Sequence, residues 1–405
     1  MIGRAAHGGA LLLAVALAAV PRPSASAPAV ELLTIGPGRA IDERFGHSLL
    51  RVVDADTQRD EIYDFGVAEL RRPDFIAAAL LGRATLRLRR SASQPRLEEY
   101  VQRGRQIEAQ RLNLSAEQVA ELIARLELGL RPGNAEYVLD PIAENCSTRI
   151  RDLLDDVTRG ALKRAAYELP ASHSYREEIL AALAGERLAS LGFDLAMGPH
   201  GEDRVGAWQL SFAPARLSEV VAASENSALG EGARLVASSA ALHGASAEAA
   251  IAGGAIGARQ IAVASGAALG LFFGLIGFAA WLSQKFNRWL SRLAGLVLLP
   301  TAALFGLLGT ALLPVALFSN SAIAVSNQNA WIFFPLDLLL VVPALRWLWT
   351  GRASFSAETR VYLDIRFLML LVGWTGVAWP QDNGAFALAA ALALAGLRTM
   401  PLRAR

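Results

Sequence analysis

The chain has 405 residues, 53% of them hydrophobic and 19% charged, with one cysteine and five histidines. That is too apolar for a single water-soluble globule of average composition, so part of the chain must meet lipid. The formal net charge of +2 averages two unlike halves: residues 261–405 carry ten Lys and Arg against four Asp and Glu, and residues 31–260 carry 27 against 33. A lone cysteine excludes an intramolecular disulfide framework and any cysteine-rich metal centre. The near-neutral balance gives no electrostatic reason to expect a nucleic-acid partner.

Arg4 precedes the uncharged run Leu11 to Val20, followed by Pro21, Pro23 and the small residues Ser24 to Ala27. This is the layout of a secretory signal peptide over residues 1–27. Its core of about ten residues is shorter than the roughly 20 that cross a bilayer as a helix, so cleavage between Ala25 and Ala29 is expected. No cysteine stands at that junction, so no lipoprotein anchor is expected.

Residues 31–35 read as a strand, Gly36-Pro37-Gly38 as a turn, and Phe45 to Val53 and Glu61 to Phe65 as two strands of a hairpin across Asp54-Ala55-Asp56. Leu70 to Leu81 reads as a helix ended by Gly82, and Ala84 to Leu88 and Gln106 to Leu112 as further strands. Ser115 with Gln118 three residues on forms a capping box for a helix over Ala116 to Leu128. Arg131-Pro132-Gly133-Asn134 is turn chemistry. Ile150, Leu153, Leu154 and Val157 recur with helical spacing, so an amphipathic helix starts just after Cys146. Helical pieces follow to residue 222, and residues 223–260 read as an Ala/Gly-rich linker or stalk.

Five apolar segments fill residues 261–405: 261–282, 293–318, 331–349, 362–379 and 385–397. With the N-terminal half exported, Lys285, Arg288, Arg292, Arg352, Arg360, Arg398, Arg403 and Arg405 fall on the cytoplasmic side. The opposite connections, 319–330 and 380–384, carry no Lys or Arg. The positive-inside rule and the signal peptide thus predict one topology, N-terminal domain outside and C-terminus inside. Seven of eight tryptophans lie in this tail, and Trp281, Trp331, Trp349 and Trp379 sit at segment ends. Asp337 is the one acid deep in apolar sequence, with no obvious intramembrane base. Asp364 and Arg366 are read as a pair or as snorkelling residues, and nothing suggests a transporter's repeated, broken helices.

A thiol in the first turn of a helix is acidified by the unpaired N–H groups and the helix dipole. His7 leaves with the signal peptide, and His173, His200 and His243 lie in loop-like or Ala-rich sequence. His47 lies in a strand, where a fixed position relative to a helix terminus is plausible. Cys146 is therefore the candidate nucleophile and His47 its base. Asp64, on the neighbouring strand, is the group expected to orient the imidazole, with Tyr63 on the opposite face. Asn145 is a candidate for an oxyanion contact or a helix cap, and Arg149 for an anionic head group or, with Arg151, for ion pairs to Asp152, Asp155 and Asp156. Arg83, Arg87, Arg89 and Arg90 read as a solvated strand face or a lipid contact.

The runs GHSLLRV at 46–52, YDFG at 63–66, QRLNLS at 110–115 and NCSTRIRD at 145–152, with LGFDLAMG at 191–198, Asp203 and FAPARL at 212–217, resemble the Lnb N-terminal periplasmic domain family over about residues 31–222. That family is similar to circularly permuted papain-like thiol hydrolases and acyltransferases, in which a strand His precedes a Cys at a helix start. The resemblance implies an α+β fold, a permuted papain-like periplasmic domain over residues 28–222 with a small antiparallel sheet packed on the Cys-bearing helix. An α-helical membrane domain of about five helices follows over 261–405. The implied activity is that of a periplasmic cysteine hydrolase or acyltransferase in the inner membrane. It would act on an ester or amide, of a lipid or N-acyl substrate at the membrane surface, through Cys146, His47 and Asp64, with Asn145, Tyr63 and Arg149 near the substrate. No metal or organic cofactor is implied. The family usually has Asn where Asp64 stands; Asp would stabilise an imidazolium more strongly. Two other readings stay open: a non-catalytic accessory module for exported proteins, and a functional membrane tail centred on Asp337.

Overall fold

A computed structural model describes residues 27–68, 75–170, 173–244, 258–283, 287–375 and 381–402. The signal-peptide reading, Trp379, Lys285, Arg403 and Arg405 lie outside the described residues.

The first half is α+β. Strands β1 (Ala29–Ile35), β2 (His47–Asp54), β3 (Arg59–Val67), β4 (Thr85–Ala92), β5 (Ile107–Leu112), β6 (Glu136–Val138) and β9 (Val236–His243) form one antiparallel sheet of order β6-β4-β3-β2-β1-β5-β9. The short strands β7 (His173–Ser174) and β8 (Arg204–Val205) pair separately. Strand alternation sorts the core into two faces. Val30, Leu32, Leu50, Val52 and Tyr63 pack on one face against helices α3 (Ala116–Gly129), α4 (Cys146–Val157), α5 (Ala161–Glu168) and α9 (Pro214–Ala223). Leu33, Ile35, Leu49, Ile62, Ile107 and Ala109 line the other, with Tyr100 of α2 (Ser93–Gln102). The Ser115–Gln118 capping box forms as read, and helix α1 spans Phe75–Leu80 before Gly82 at φ +64°.

Two elements differ from the sequence reading. Helix α2 was missed, because Pro95 and a run of polar residues obscure its helical pattern. The region read as a linker contributes β9, which pairs with β5 from Val236 to His243. Its Ala and Ser side chains are mostly exposed, so backbone pairing rather than apolar burial holds it to the sheet edge.

The second half is helical: α10 (Ala258–Ser283), α11 (Arg288–Phe318), α12 (Asn329–Ile332), α13 (Val341–Thr350), α14 (Ala357–Trp374) and α15 (Gly384–Leu397). Among the described residues three stretches are long and apolar enough to cross a membrane: Gln260–Ala280, Arg288–Phe318 and Asn329–Thr350. Helix α14 carries Glu358, Arg360, Asp364 and Arg366, and α15 has 14 residues, so neither meets that length and composition by itself. Small residues let the helices approach closely: a Cβ on Gly266 or Gly270 would overlap the backbone of α15 at Ala389 and Leu392.

The third stretch is broken. Between α12 and a 3-10 turn over Pro335–Leu340 the chain is extended at Phe333 and Phe334. Arg366 repairs the break, donating to the carbonyls of Trp331 (2.6 Å) and Ile332 (2.7 Å) and to both carboxylate oxygens of Asp337 (3.2 and 2.9 Å). The Tyr362 hydroxyl donates to Asp337 as well. Asp337 therefore has a buried base, Arg366; Asp364 pairs with Arg398 instead (2.6 Å). The irregular backbone is tolerated because protein groups satisfy it. Removing one member leaves a charge buried at about 4% exposure. Arg366→Met is expected to destabilise the protein by about 3–5 kcal/mol, and Asp337→Leu combined with Arg366→Met to recover part of that loss, as read by thermal unfolding in detergent.

The connection 319–328 and Gln381 lie against the α+β domain: Asn320 N–H donates to Leu81 O (3.0 Å), and Asn327 and Gln381 side-chain amides donate to Leu195 O (2.7 Å) and Met197 O (2.8 Å). At the opposite end Arg288 abuts Gly351, and Arg360 donates to the carbonyls of Arg398 and Met400.

Candidate active site

Helix α4 begins at Cys146 because Asn145 caps it. The Asn145 Oδ1 accepts from Ser147 N–H (2.9 Å) and Thr148 N–H (3.0 Å), and the Thr148 hydroxyl takes the Asn145 N–H (2.8 Å), a reciprocal capping box. The Asn145 amide donates to Pro141 O (2.8 Å) and Phe212 O (3.1 Å). Its side chain is fully engaged in holding the helix start, so the capping reading accounts for Asn145 and leaves no free group for a substrate.

His47 is the first residue of β2, at the end of the sheet where the α4 N-terminus arrives. The Cys146 thiol lies close enough to His47 for the charge on each to act on the other, and one residue on the Ser48 and Ser147 hydroxyls pair at 2.9 Å. His47 Nε2 lies 2.8 Å from Asp64 Oδ1. That contact leaves Nδ1 as the ring nitrogen not engaged by the carboxylate.

Asp64 is 1% exposed and accepts three times: from His47, from Gly66 N–H (2.8 Å) and from Arg96 Nη2 (2.9 Å). The β3–β4 register shifts between Asp64 and Val67, a bulge that turns the carboxylate toward the strand end. Gly66 is required there, since a Cβ would overlap the His47 ring. Arg96 comes from α2, on the sheet face opposite α4, and lies over the Tyr100 ring (4.8 Å).

The electrostatics favour an ion pair. Burial pushes the Cys146 thiol up, but the His47 charge and hydrogen bond and the Ser48 N–H outweigh it and hold the thiol below 9.0. Burial pulls His47 down, but the Cys146 and Asp64 charges outweigh it and hold His47 well above 6.5. Burial raises the Asp64 carboxyl, and His47, Arg96 and Gly66 N–H together hold it far below 3.8. A thiolate beside an imidazolium is the nucleophilic state of such a pair.

Residues 23–178 match the family model of the Lnb N-terminal periplasmic domain. No curated protein and no solved structure matches the chain. The Lnb N-terminal match holds His47, Asp64 and Cys146, and stops short of residue 222; α9 and the membrane helices lie beyond it.

The structure sets His47 on Asp64 with Cys146 near His47, and turns one expected substrate contact, Tyr63, to another face. Tyr63 is buried on the α3–α4 face with its hydroxyl on Glu127 (2.8 Å), because alternation sends it away from Asp64. Arg149 pairs with Glu144 (2.7 Å) and lies over the Tyr137 ring (4.5 Å); it does not reach Asp152, Asp155 or Asp156, whereas Arg151 does pair with Asp152. His173 pairs with Glu178 and His200 with Asp203 on the surface. Sequence reasoning missed Arg96, which belongs to an unread helix, and Tyr137, whose hydroxyl donates to Phe65 O (2.7 Å) and braces the bulge. Gly66→Ala is expected to displace the imidazole, raise the midpoint of Cys146 alkylation toward the free-thiol value of about 8.5 and leave the fold intact. Iodoacetamide rates across pH, with circular dichroism, check it.

Proposed function

We propose that this protein is a membrane-anchored thiol hydrolase or acyltransferase of the periplasmic side of the inner membrane, working through a cysteine thioester. The single observation that carries the reading is the series Cys146, His47, Asp64 at the start of a capped helix, with His47 Nε2 2.8 Å from Asp64. A strand histidine preceding a helix-start cysteine is also the chain order of a permuted papain-like domain, and the Lnb N-terminal match favours the same assignment.

In this reading the Cys146 thiolate attacks the carbonyl carbon of an ester or amide. Asn145 occupies the second and third N–H groups of α4, so the Cys146 N–H and the helix dipole are the donors available to the oxyanion. The His47 imidazolium gives its proton to the departing alkoxide or amine, leaving a Cys146 thioester. Neutral His47 then takes a proton from water or an incoming amine, which attacks the thioester and releases the thiolate. Asp64 stays ionised and stabilises the imidazolium. Lipid or N-acyl substrates suit a site carried next to a bilayer. The proposed arrangement has five membrane segments, the α+β domain and the connections 319–330 and 380–384 outside, and the Arg-rich ends and C-terminus inside. Support for it comes from the contacts of 319–328 and Gln381 with the α+β domain and from the clustering of Arg288, Arg360 and Arg398 at the other end.

The reading is tested with the full chain in vesicles of phosphatidylethanolamine and phosphatidylglycerol. Intact-mass spectrometry should find a hydroxylamine-labile acyl adduct that Cys146→Ala and His47→Ala both lose while remaining folded. Absence of any adduct, with slow alkylation of Cys146 and destabilisation by both substitutions, would sink the enzyme in favour of an accessory module. For turnover, the acid limb of kcat/KM should report protonation of the thiolate and the alkaline limb loss of the imidazolium. Asp64→Ala removes a charge that raises His47, so the alkaline limb should move to lower pH.

A further inference from the structure

The strand ends at Ile35, His47, Val67, Thr85 and Val138 lie at one end of the sheet, as the pairings Ile35 with His47 and Thr85 with Val138 require. Among the connections at that end are residues 80–84 before β4, and residues 139–145, which lead from β6 into Cys146. Leu139 N–H ties them together through Ala84 O (2.8 Å). Both meet the membrane domain at the connection after α11.

The contact is built on both sides. The Ser319 hydroxyl donates to Leu80 O (2.8 Å), and Asn320 N–H to Leu81 O. Ser321 donates from its hydroxyl to Asp140 Oδ2 (3.3 Å). Asp140 organises the turn before the nucleophile: its Oδ1 accepts from Ile142 and Ala143 N–H (both 3.0 Å), and its backbone exchanges two bonds with Glu144. Two residues past Ser321, Ile323 is 6% exposed in a cluster with Ile142, Phe212 and Met197, against which Phe45 packs. Ile142 and Phe45 stand four and two residues from Cys146 and His47, and Phe212 O receives the Asn145 amide. The Gly198 N–H donates to Ile323 O (2.7 Å), and a Cβ on Gly82 or Gly198 would overlap this segment, so both glycines permit the close approach.

We infer that Ser321 and Ile323, from the membrane domain, are positioning residues for the thiol site: they hold the Asp140–Asn145 turn and the Phe45 side of β2, so that Cys146 and His47 are in register only when the helical tail is docked. The inference rests on the thiol-site reading and adds to it that the tail is part of the catalytic architecture as well as its anchor. The α+β domain alone buries Ile142 and Phe212 incompletely, because Ile323 fills their cluster.

Because the chain has one cysteine, alkylation of the full-length protein in detergent reads Cys146 alone. Ile323→Ala and Ser321→Ala are expected to lower the alkylation rate at pH 6 by about tenfold and a few-fold, and to move its midpoint up toward the free-thiol value of about 8.5. Ile323→Val should behave as wild type. Asn327→Ala, which loosens the same connection at Leu195 away from the catalytic turn, should leave the profile unchanged. A wild-type profile in the Ile323→Ala and Ser321→Ala proteins would overturn the inference and leave the thiol enzyme standing; so would an equal shift in Asn327→Ala, since general loosening then explains it. A wild-type midpoint already at the free-thiol value would overturn the thiol-site reading itself.

Discussion

A carboxylate at 1% exposure dictates much of the architecture around it. Asp64 is tolerated in the interior only because it is ionised against two cationic groups and an N–H, from His47, Arg96 and Gly66, and losing any of these would leave a buried charge short of partners. Each partner imposes a structural demand. Arg96 requires α2 on the sheet face opposite the cysteine helix. The Gly66 N–H requires the bulge in β3, and the absent Cβ makes room for the imidazole. The His47 ring is anchored through Nε2 near the thiol carried at the start of α4.

The cysteine's side of the site rests on capping rather than charge. Asn145 ties the first turn of α4 to the preceding turn at Pro141 and to Phe212, so the helix start is fixed by neutral hydrogen bonds that do not compete with the ion pair beside it. The two sheet faces divide the work: Leu50, Val52 and Tyr63 bind the sheet to α4, while Leu49, Ile62 and Tyr100 bind it to α2. Cys146 comes from one face and His47 and Asp64 from the other, and they approach at the strand ends, where a side chain from either face can reach. In the tail, Asp337 and Arg366 repeat the logic of a buried pair, here closing the hydrogen bonds that a broken helix releases.

How far the sequence could be read depended on the range of the determining interactions. The Ser115–Gln118 box, the hairpin of β2 and β3, the Gly82 stop and the start of α4 all follow from contacts within a few residues. The opposition of Tyr63 and Asp64 follows from strand alternation alone. Helix α2 was hidden because its apolar positions are few and Pro95 stands near its start, and β9 because Ala and Ser carry no strand signature; each is held by a distant partner, α2 by Asp64 and the sheet face under Tyr100, β9 by the free edge of β5. Arg366 was read toward Asp364, its neighbour in sequence, although the strongest claim on it comes from a carboxylate 29 residues earlier.

The sequence by itself determined that the chain has an acidic half and a basic apolar half, that its one cysteine begins a helix, and that His47 and Asp64 occupy adjacent strands in positions able to pair. Periodicity, capping and charge counting decide those matters, and all are local. Only the tertiary structure decided that the three groups meet, that Arg96 completes the carboxylate's shell, and that Ser321 and Ile323 of the helical tail reach the turn before Cys146. Those contacts join residues tens to nearly two hundred positions apart, and packing selects them through volume and hydrogen-bond satisfaction, which no short stretch of sequence encodes.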